Sequence, residues 1–119
     1  MKNLVSWVEI PAVDFSRAVK FYNAVLGLSM QELDFGQEKM ACFPTGEGAI
    51  FQKEGYKPSK DGVIVSLNAG ADLDGAIDRV KKNGGTIIIP KTKTEAEGRG
   101  YFATFTDTEG NILGLYGDN

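Results

Sequence analysis

From Asp14 onward, Phe15, Ala18, Val19, Tyr22, Val25 and Leu26 recur at three- and four-residue spacing, the signature of a helix with one apolar face. Asp14 is placed to cap it, since its carboxylate can accept from the unpaired amides of the first turn, and Gly27 supplies the stop. The design returns later in the chain, with Asp72 as cap, Leu73, Ala76, Ile77 and Val80 as the stripe, and Gly84-Gly85 as terminator. Helices this short do not hold in water alone, so both stripes require a sheet to cover them. The other apolar runs read as strands. Leu4 to Ile10 precedes the first helix, and Ser29 to Phe35, Lys39 to Phe43 and Ala49 to Lys53 follow it. Gly62 to Asn68 precedes the second helix, and Thr86 to Ile89, Tyr101 to Thr106 and Asn111 to Tyr116 follow that one. Gly36, Thr45-Gly46-Glu47-Gly48 and Asp107-Thr108-Glu109-Gly110 mark turns between them.

Both halves thus carry the order strand, helix, strand, strand, strand, which reads as a duplication. Ala18 matches Ala76, Gly27 falls near the register of Gly85, and Glu47-Gly48-Ala49-Ile50 matches Glu109-Gly110-Asn111-Ile112, a register that sets Gln52 against Gly114. The predicted fold class is α+β: one domain over 1–119 made of two paired β-α-β-β-β modules, the first over about 1–55 and the second over about 60–119. Each module makes a curled sheet with its helix on the convex face. Set edge to edge, the two enclose a cup, and a concave, partly apolar cleft is where small ligands bind.

Composition narrows the chemistry available to such a cup. The 119 residues suit a single domain, and 42% hydrophobic against 24% charged residues is globular composition. There is no histidine. That excludes a Ser-His or Cys-His pair, a His base and a His-ligated metal, and a metal site would have to rest on carboxylates, amides and water. Lys and Arg number 13 against 16 Asp and Glu, a net charge of -3, and Lys91 to Lys93 is offset at once by Glu95 and Glu97. No basic stripe is left to track a nucleic acid. Cys42 is the only cysteine, so no internal disulfide is possible, and in the run Met40-Ala41-Cys42-Phe43 it reads as a packed, inert thiol. The chain reaches Glu9 after a short apolar stretch, so neither a signal peptide nor a membrane span is expected and a cytoplasmic location is the default.

Several motifs then fall in a familiar order. Trp7-Val8-Glu9-Ile10-Pro11-Ala12-Val13-Asp14, Arg17-Ala18-Val19-Lys20-Phe21-Tyr22 and Val25-Leu26-Gly27 open the chain, and Phe105-Thr106-Asp107-Thr108-Glu109-Gly110-Asn111 stands near its end. Together with the second helix and Gly84-Gly85, they resemble the vicinal oxygen chelate superfamily, which includes glyoxalase I, extradiol dioxygenases and the fosfomycin and bleomycin resistance proteins. The resemblance spans essentially the whole chain. It implies the paired modules, dimers and, in metal-dependent members, a divalent ion held by His, Glu or Gln at four places on the first and last strands of each module. Counting from Phe21-Tyr22 and from Glu109-Gly110, those places fall on Trp7, Gln52, Val63 or Val65, and Gly114. Only Gln52 among them can coordinate, and one neutral amide does not hold a divalent ion. The metal and cofactor expected here are therefore none.

Glu9 is the best remaining group for chemistry. Strand alternation sets Val8 and Ile10 on one face and Trp7 and Glu9 on the other; if the first pair packs on the helix, the second faces the cup. There Glu9 would serve as general base or hydrogen-bond partner to a ligand, against the plainer reading of a rim carboxylate paired with Lys or Arg. Trp7 either stacks on a flat or cationic ligand or fills the base of the cup. Tyr101 and Tyr116 are candidates to line the same cleft, and Arg99, between Gly98 and Gly100, is a candidate to meet an anion. Phe105 reads as core. Gly46, Gly48, Gly98 and Gly100 are turn glycines, since no helix follows them to cradle a phosphate.

Three functions fit these residues. One is a metal-independent small-molecule-binding protein, like the bleomycin-binding members of the superfamily, working as a homodimer with no nucleic-acid or membrane partner. The second is a glyoxalase-like lyase or isomerase acting on a small carbonyl compound with Glu9 as base. The third is a metalloenzyme with an all-oxygen site, for which Glu9, Gln52 and Glu54 are the candidates.

Overall fold

A computed structural model describes residues 4–95 and 97–119. The first module runs β1 (Val8–Pro11), α1 (Phe15–Leu26), β2 (Leu33–Asp34), β3 (Glu38–Cys42) and β4 (Gly48–Lys53). The second runs β5 (Ser66–Gly70), α2 (Leu73–Lys82), β6 (Thr86–Lys93), β7 (Tyr101–Thr106) and β8 (Ile112–Gly117). Each module forms a four-stranded mixed sheet, ordered β1-β4-β3-β2 and β5-β8-β7-β6, with the first strand parallel to the last and the other pairs antiparallel. The α+β class and the repeated order agree with the sequence pattern.

Both helices begin where local chemistry places them. Asp14 accepts from the Arg17 amide at 3.2 Å and Asp72 from the Gly75 amide at 3.0 Å. Gly27 ends α1 in the left-handed conformation, φ 66°, and passes its amide back to the Asn23 carbonyl. Asn83 caps α2, and Gly84, at φ 96°, turns the chain away. The stripes Phe15, Ala18, Val19, Tyr22, Val25 and Leu73, Ala76, Ile77, Val80 are buried with Ile10, Ile50, Ala103, Phe105, Leu113 and Leu115 in one shared core. Phe21 of α1 packs on Phe105 of β7, with ring centres 6.1 Å apart, and Arg79 of α2 donates to the Val25 carbonyl at 2.9 Å. The core therefore welds the modules together through their helices.

Strand bounds shift where pairing decides them. The apolar runs 4–7 and 62–65 lead into β1 and β5 but lie outside them, since pairing with β4 begins at Val8–Gly48 and pairing with β8 begins at Ser66–Gly114. Only Leu33–Asp34 of the expected 29–35 strand pairs, because Met30 is tied back to α1: its amide donates to the Asn23 side chain and its carbonyl accepts from it. β6 runs past Ile89 to Lys93, with register shifts either side of Ile89. Pro90 is tolerated there because β6 is an edge strand. Cys42 is exposed on the face of β3 turned from the helix, not packed as the apolar run implied, because alternation turns its neighbour Ala41 into the core and Cys42 to the other face.

Candidate ligand-binding site

Ile10 is buried in the core and Val8 packs against it, so alternation turns Glu9 to the concave side of the first sheet, as its position in the strand predicts. Its in-register partner on β4 is Ala49, and Cys42 completes the row on β3. Glu9 lies on the wall of a cleft of about 380 Å³ between the modules, with Pro11 on one side and Val63, Val65 and Ile112 on the other. Lys57 and Ser59 of the segment joining the modules add polar groups to its rim. Glu9 itself is exposed on that wall. Trp7 precedes β1, is 44% exposed and is not part of the cleft wall.

The remaining expected site residues divide between the two faces. Gln52 lies two residues from Ile50, on the helix side of β4, where its Oε1 accepts from the Phe15 amide at 3.1 Å and closes the first turn of α1. The cup-facing residues of that strand are Ala49, Phe51 and, at its end, Lys53, and Phe51 is roofed by Tyr56 at 5.4 Å between ring centres. The match of Glu47-Gly48 to Glu109-Gly110 is therefore out of register by an odd number of residues. Its partners Ile50 and Ile112 point to opposite faces, and Leu113 is the core-facing residue of β8. Tyr101 is also on the helix side, paired with Gly117, with the Lys91 and Lys93 ammonium groups 4.8 Å and 5.4 Å from its ring centre. Tyr116 is on the concave side with Phe102, its in-register neighbour, and the Arg99 guanidinium lies 5.8 Å from its ring centre. Arg99 and Tyr116 share a second, shallower concavity of about 570 Å³ with Ser66, Asn68, Thr94 and Phe102.

The four places where a divalent ion would be held do not supply ligands. Trp7 is an indole, the cup face of β4 offers Ala49 and Phe51, Val63 and Val65 are apolar, and Gly114 has no side chain, with the Ser66 hydroxyl 2.4 Å from where its Cβ would stand. Glu9 and Gln52 lie on opposite faces of one sheet, and Glu54 lies past the end of β4. Among the described residues no three His, Cys, Asp or Glu come together as a metal-binding group. This donor set does not fit the ion.

A different cluster, read in the sequence as a turn, is the most connected polar group among the described residues. The Glu109 carboxylate accepts from the Val13 and Asp14 amides at 2.9 Å and 2.7 Å, from Arg17 Nε at 2.7 Å and Nη2 at 3.1 Å, and from the Thr108 hydroxyl at 2.8 Å. Asp107 accepts from the buried Tyr22 hydroxyl at 2.6 Å and from Asn111 Nδ2 at 3.0 Å, while the same Asn111 amide reaches the Pro11 carbonyl at 2.7 Å. Burial by itself would push the Glu109 carboxyl up, but the bonds from Arg17, the Asp14 amide and Thr108 outweigh it and hold the group below its usual 4.5. The bond and charge of Glu109 in turn raise Arg17. Burial first, then the Asp107 charge and hydrogen bond, push the Tyr22 hydroxyl well above 10. The cluster ties the last turn of the second module to the β1–α1 corner of the first, and so sets one wall of the Glu9 cleft, to which Asn111 contributes.

Comparison with known proteins agrees with this architecture. The family model of the Glyoxalase/Bleomycin resistance protein/Dioxygenase superfamily matches residues 4–115. A glyoxylase-like domain-containing protein of Didymella fabae is 36% identical, the alignment covering 90% of this chain and 88% of that protein. Among solved structures, a glyoxalase/bleomycin resistance protein from Albidiferax ferrireducens T118 superposes with a TM-score of 0.74 at 21% identity, over 98% of this chain and 100% of that one. A genomically encoded fosfomycin resistance protein from Listeria monocytogenes gives 0.71 at 17% identity, over 100% and 96%. These two structural likenesses establish the fold alone.

Proposed function

The chain belongs to the Glyoxalase/Bleomycin resistance protein/Dioxygenase superfamily, and from that premise we propose that it is a metal-independent small-molecule-binding protein. The observation that carries this reading is the cleft between the modules, in which Glu9 is the one carboxylate on a wall otherwise made largely of apolar side chains. Its volume suits a small organic molecule. The donor set at the four places of the family's ion, with no carboxylate, imidazole or thiolate at any of them, supports independence from metal. Glu9 would fix the ligand's orientation by accepting a hydrogen bond or pairing with a cation, Trp7 would close over it from the strand's lead-in, and Tyr116 and Arg99 would contribute at the far end. Gln52 and Tyr101 act from the helix side, Gln52 by holding α1 and Tyr101 by packing under the lysines.

A homodimer belongs to the same reading. The outermost strands leave Leu33, Ile88 and Ile89 exposed, as is Phe35 just after β2, and apolar side chains on an open sheet edge offer a surface on which a second copy would pair. No helix among the described residues is long and apolar enough to cross a membrane, and the acidic balance disfavours nucleic acid, which fits a cytoplasmic protein with small-molecule partners.

One observation favours a second reading, a glyoxalase-like lyase or isomerase on a small carbonyl compound. Glu9 shares its cleft with Lys57, so a base and a cation able to steady a developing oxyanion line one space. A thermal-melt screen over small carbonyl compounds, amino acids and aromatic cations separates these functions. A ligand at a hundred times its Kd stabilises by about 2.7 kcal/mol. Glu9→Gln is expected to weaken the best ligand at least tenfold with the unliganded melting temperature unchanged. Turnover of a carbonyl hit, lost in Glu9→Gln, would favour the enzyme. Stoichiometric metal in chelator-washed protein would overturn metal independence, and ligand binding indifferent to Glu9→Gln would overturn the site.

A further inference from the structure

The concavity of the second module has a construction of its own. Arg99 stands on the loop between β6 and β7, and that loop is closed at its base. The Thr94 amide donates to the Gly100 carbonyl at 3.0 Å, and the Lys93 ammonium donates to the carbonyls of Arg99, Gly100 and Thr94. The Gly100 amide donates to the Tyr116 hydroxyl at 2.7 Å. Gly100 has to be glycine, since a Cβ there would stand 2.1 Å from the Gly117 carbonyl oxygen. This frame presents the Arg99 guanidinium above the Tyr116 ring. Among the described residues Arg99 has no ion pair and no side-chain hydrogen bond.

Every polar side chain around it has a hydrogen to give. Tyr116 accepts from Gly100 and keeps its own O–H; Asn68 has its oxygen occupied by the Gly70 amide at 2.8 Å and its NH₂ open; Ser66 is exposed on the same face. The Thr94 hydroxyl is the one enclosed side-chain oxygen or nitrogen among the described residues without a partner, and it belongs to this wall. Among the described residues no carboxylate lines the concavity, although Glu95 and Glu97 are exposed elsewhere on the same loop. Phe102 and Tyr116 provide an aromatic floor. A donor-rich wall, a planar cation with open edges and an aromatic floor match a planar molecule bearing a carboxylate.

From this juxtaposition we infer that the concave face of the second module is a subsite for the carboxylate of a flat, aromatic or conjugated small molecule, held by Arg99 over Tyr116. The inference rests on the reading of the concave surface as a small-molecule site, but not on the Glu9 cleft. Ile112 lines that cleft and Tyr116 this subsite, four residues apart on one face of β8, so about 13 Å separates them.

Benzoate is the probe, with benzamide as its neutral isostere, titrated into the full chain while the Arg99 Nε–H and the Tyr116 ring resonances are followed by NMR. Benzoate is expected to shift both in a saturable way, benzamide to bind at least tenfold more weakly, and Arg99→Gln to lose at least tenfold in benzoate affinity that Arg99→Lys partly restores. Thr94→Val is expected to weaken benzoate while raising the melting temperature of the unliganded protein, because it removes an unpaired enclosed hydroxyl. Equal binding of benzoate and benzamide, or benzoate binding unaltered in Arg99→Gln, would overturn the subsite. So would an Arg99 signal that benzoate does not move. The Glu9→Gln variant keeps the two proposals apart. A screen ligand that depends on Glu9, with no benzoate response at Arg99, leaves the function standing and removes the subsite. Arg99-dependent benzoate binding with no Glu9-dependent ligand removes the Glu9 cleft as the binding site and leaves the subsite standing.

Discussion

Glu47-Gly48 and Glu109-Gly110 each lead into the last strand of a module, and the two carboxylates live in opposite surroundings. Glu47 is exposed and its partner is the Thr45 hydroxyl of its own turn. Glu109 has a fully enclosed side chain and accepts four of its five hydrogen bonds from the other module. Gly48 is already the first residue of β4, whereas Asn111 intervenes between Gly110 and β8 and spends its side chain on Pro11, Asp107 and the Ser59 amide. One turn ends a hairpin and the other latches two modules. The difference teaches that a repeated dipeptide specifies local chain direction, while its energetic weight depends on what lies across from it.

The largest expected effect comes from breaking the latch. Glu109→Ala leaves the Val13 and Asp14 amides without their acceptor, at a cost of roughly 2–3 kcal/mol in urea unfolding. A loss under about 0.5 kcal/mol, the range of an ordinary surface change, would mean the latch is ornamental. The latch also has a pH signature. The Glu109 carboxyl titrates below its unfolded 4.5, so its stabilisation is complete above that pH and drains away as pH falls through the lower folded value. Stability curves between pH 6 and 3 should fall less steeply for Glu109→Gln than for the native chain.

None of that was legible from the sequence, although the turn itself was. Helices and caps are local: the spacing from Phe15 to Leu26, with Asp14 before and Gly27 after, contains everything that decides α1. The strand order followed, as did the outward side of Glu9, because alternation is local too. What failed was non-local. The leads 4–7 and 62–65 have strand composition, but pairing decides strands. The match of Glu-Gly to Glu-Gly fixes the position of Gln52 along β4 but not its parity, and an odd offset turns a side chain through the sheet. Tyr101 and Tyr116 look alike as candidates, yet the antiparallel register pairs Tyr101 with Gly117 and Tyr116 with Phe102, which separates them by a whole sheet thickness. The charge of Arg99 makes it a candidate anion partner, whereas its setting depends on Lys93, Gly100 and Tyr116 meeting in space.

Removing one hydrogen bond sharpens the comparison further. Tyr22→Phe keeps the buried ring and deletes its donation to Asp107 at 2.6 Å, leaving Asn111 on that oxygen. A loss of about 1.5 kcal/mol is expected, the usual value for a bond to a charged group. The alkaline limb should change as well. With the Tyr22 hydroxyl pushed above 10 in the folded chain, its stabilisation is full below that pH and is lost as pH rises towards the folded value. Tyr22→Phe should therefore flatten the decline above pH 10. An unchanged alkaline limb would show that another tyrosine governs it.

The smallest effect is the one that closes the comparison. Glu47→Ala removes a carboxylate whose only side-chain partner among the described residues is a hydroxyl two residues away, in a turn already held by the Gly46 amide on the Phe43 carbonyl and by the Val8 amide on the Glu47 carbonyl. Both of these bonds use backbone and survive the substitution. The change in stability should stay within about 0.5 kcal/mol, as for surface positions without a buried partner. If instead Glu47→Ala costs as much as Glu109→Ala, the carboxylate has an acceptor role in solution that its exposure does not reveal, and the two turns are functional equivalents after all. Thr45→Val separates the cases, since it removes the only side-chain donor Glu47 has among the described residues and should be equally silent if the turn is held by backbone alone.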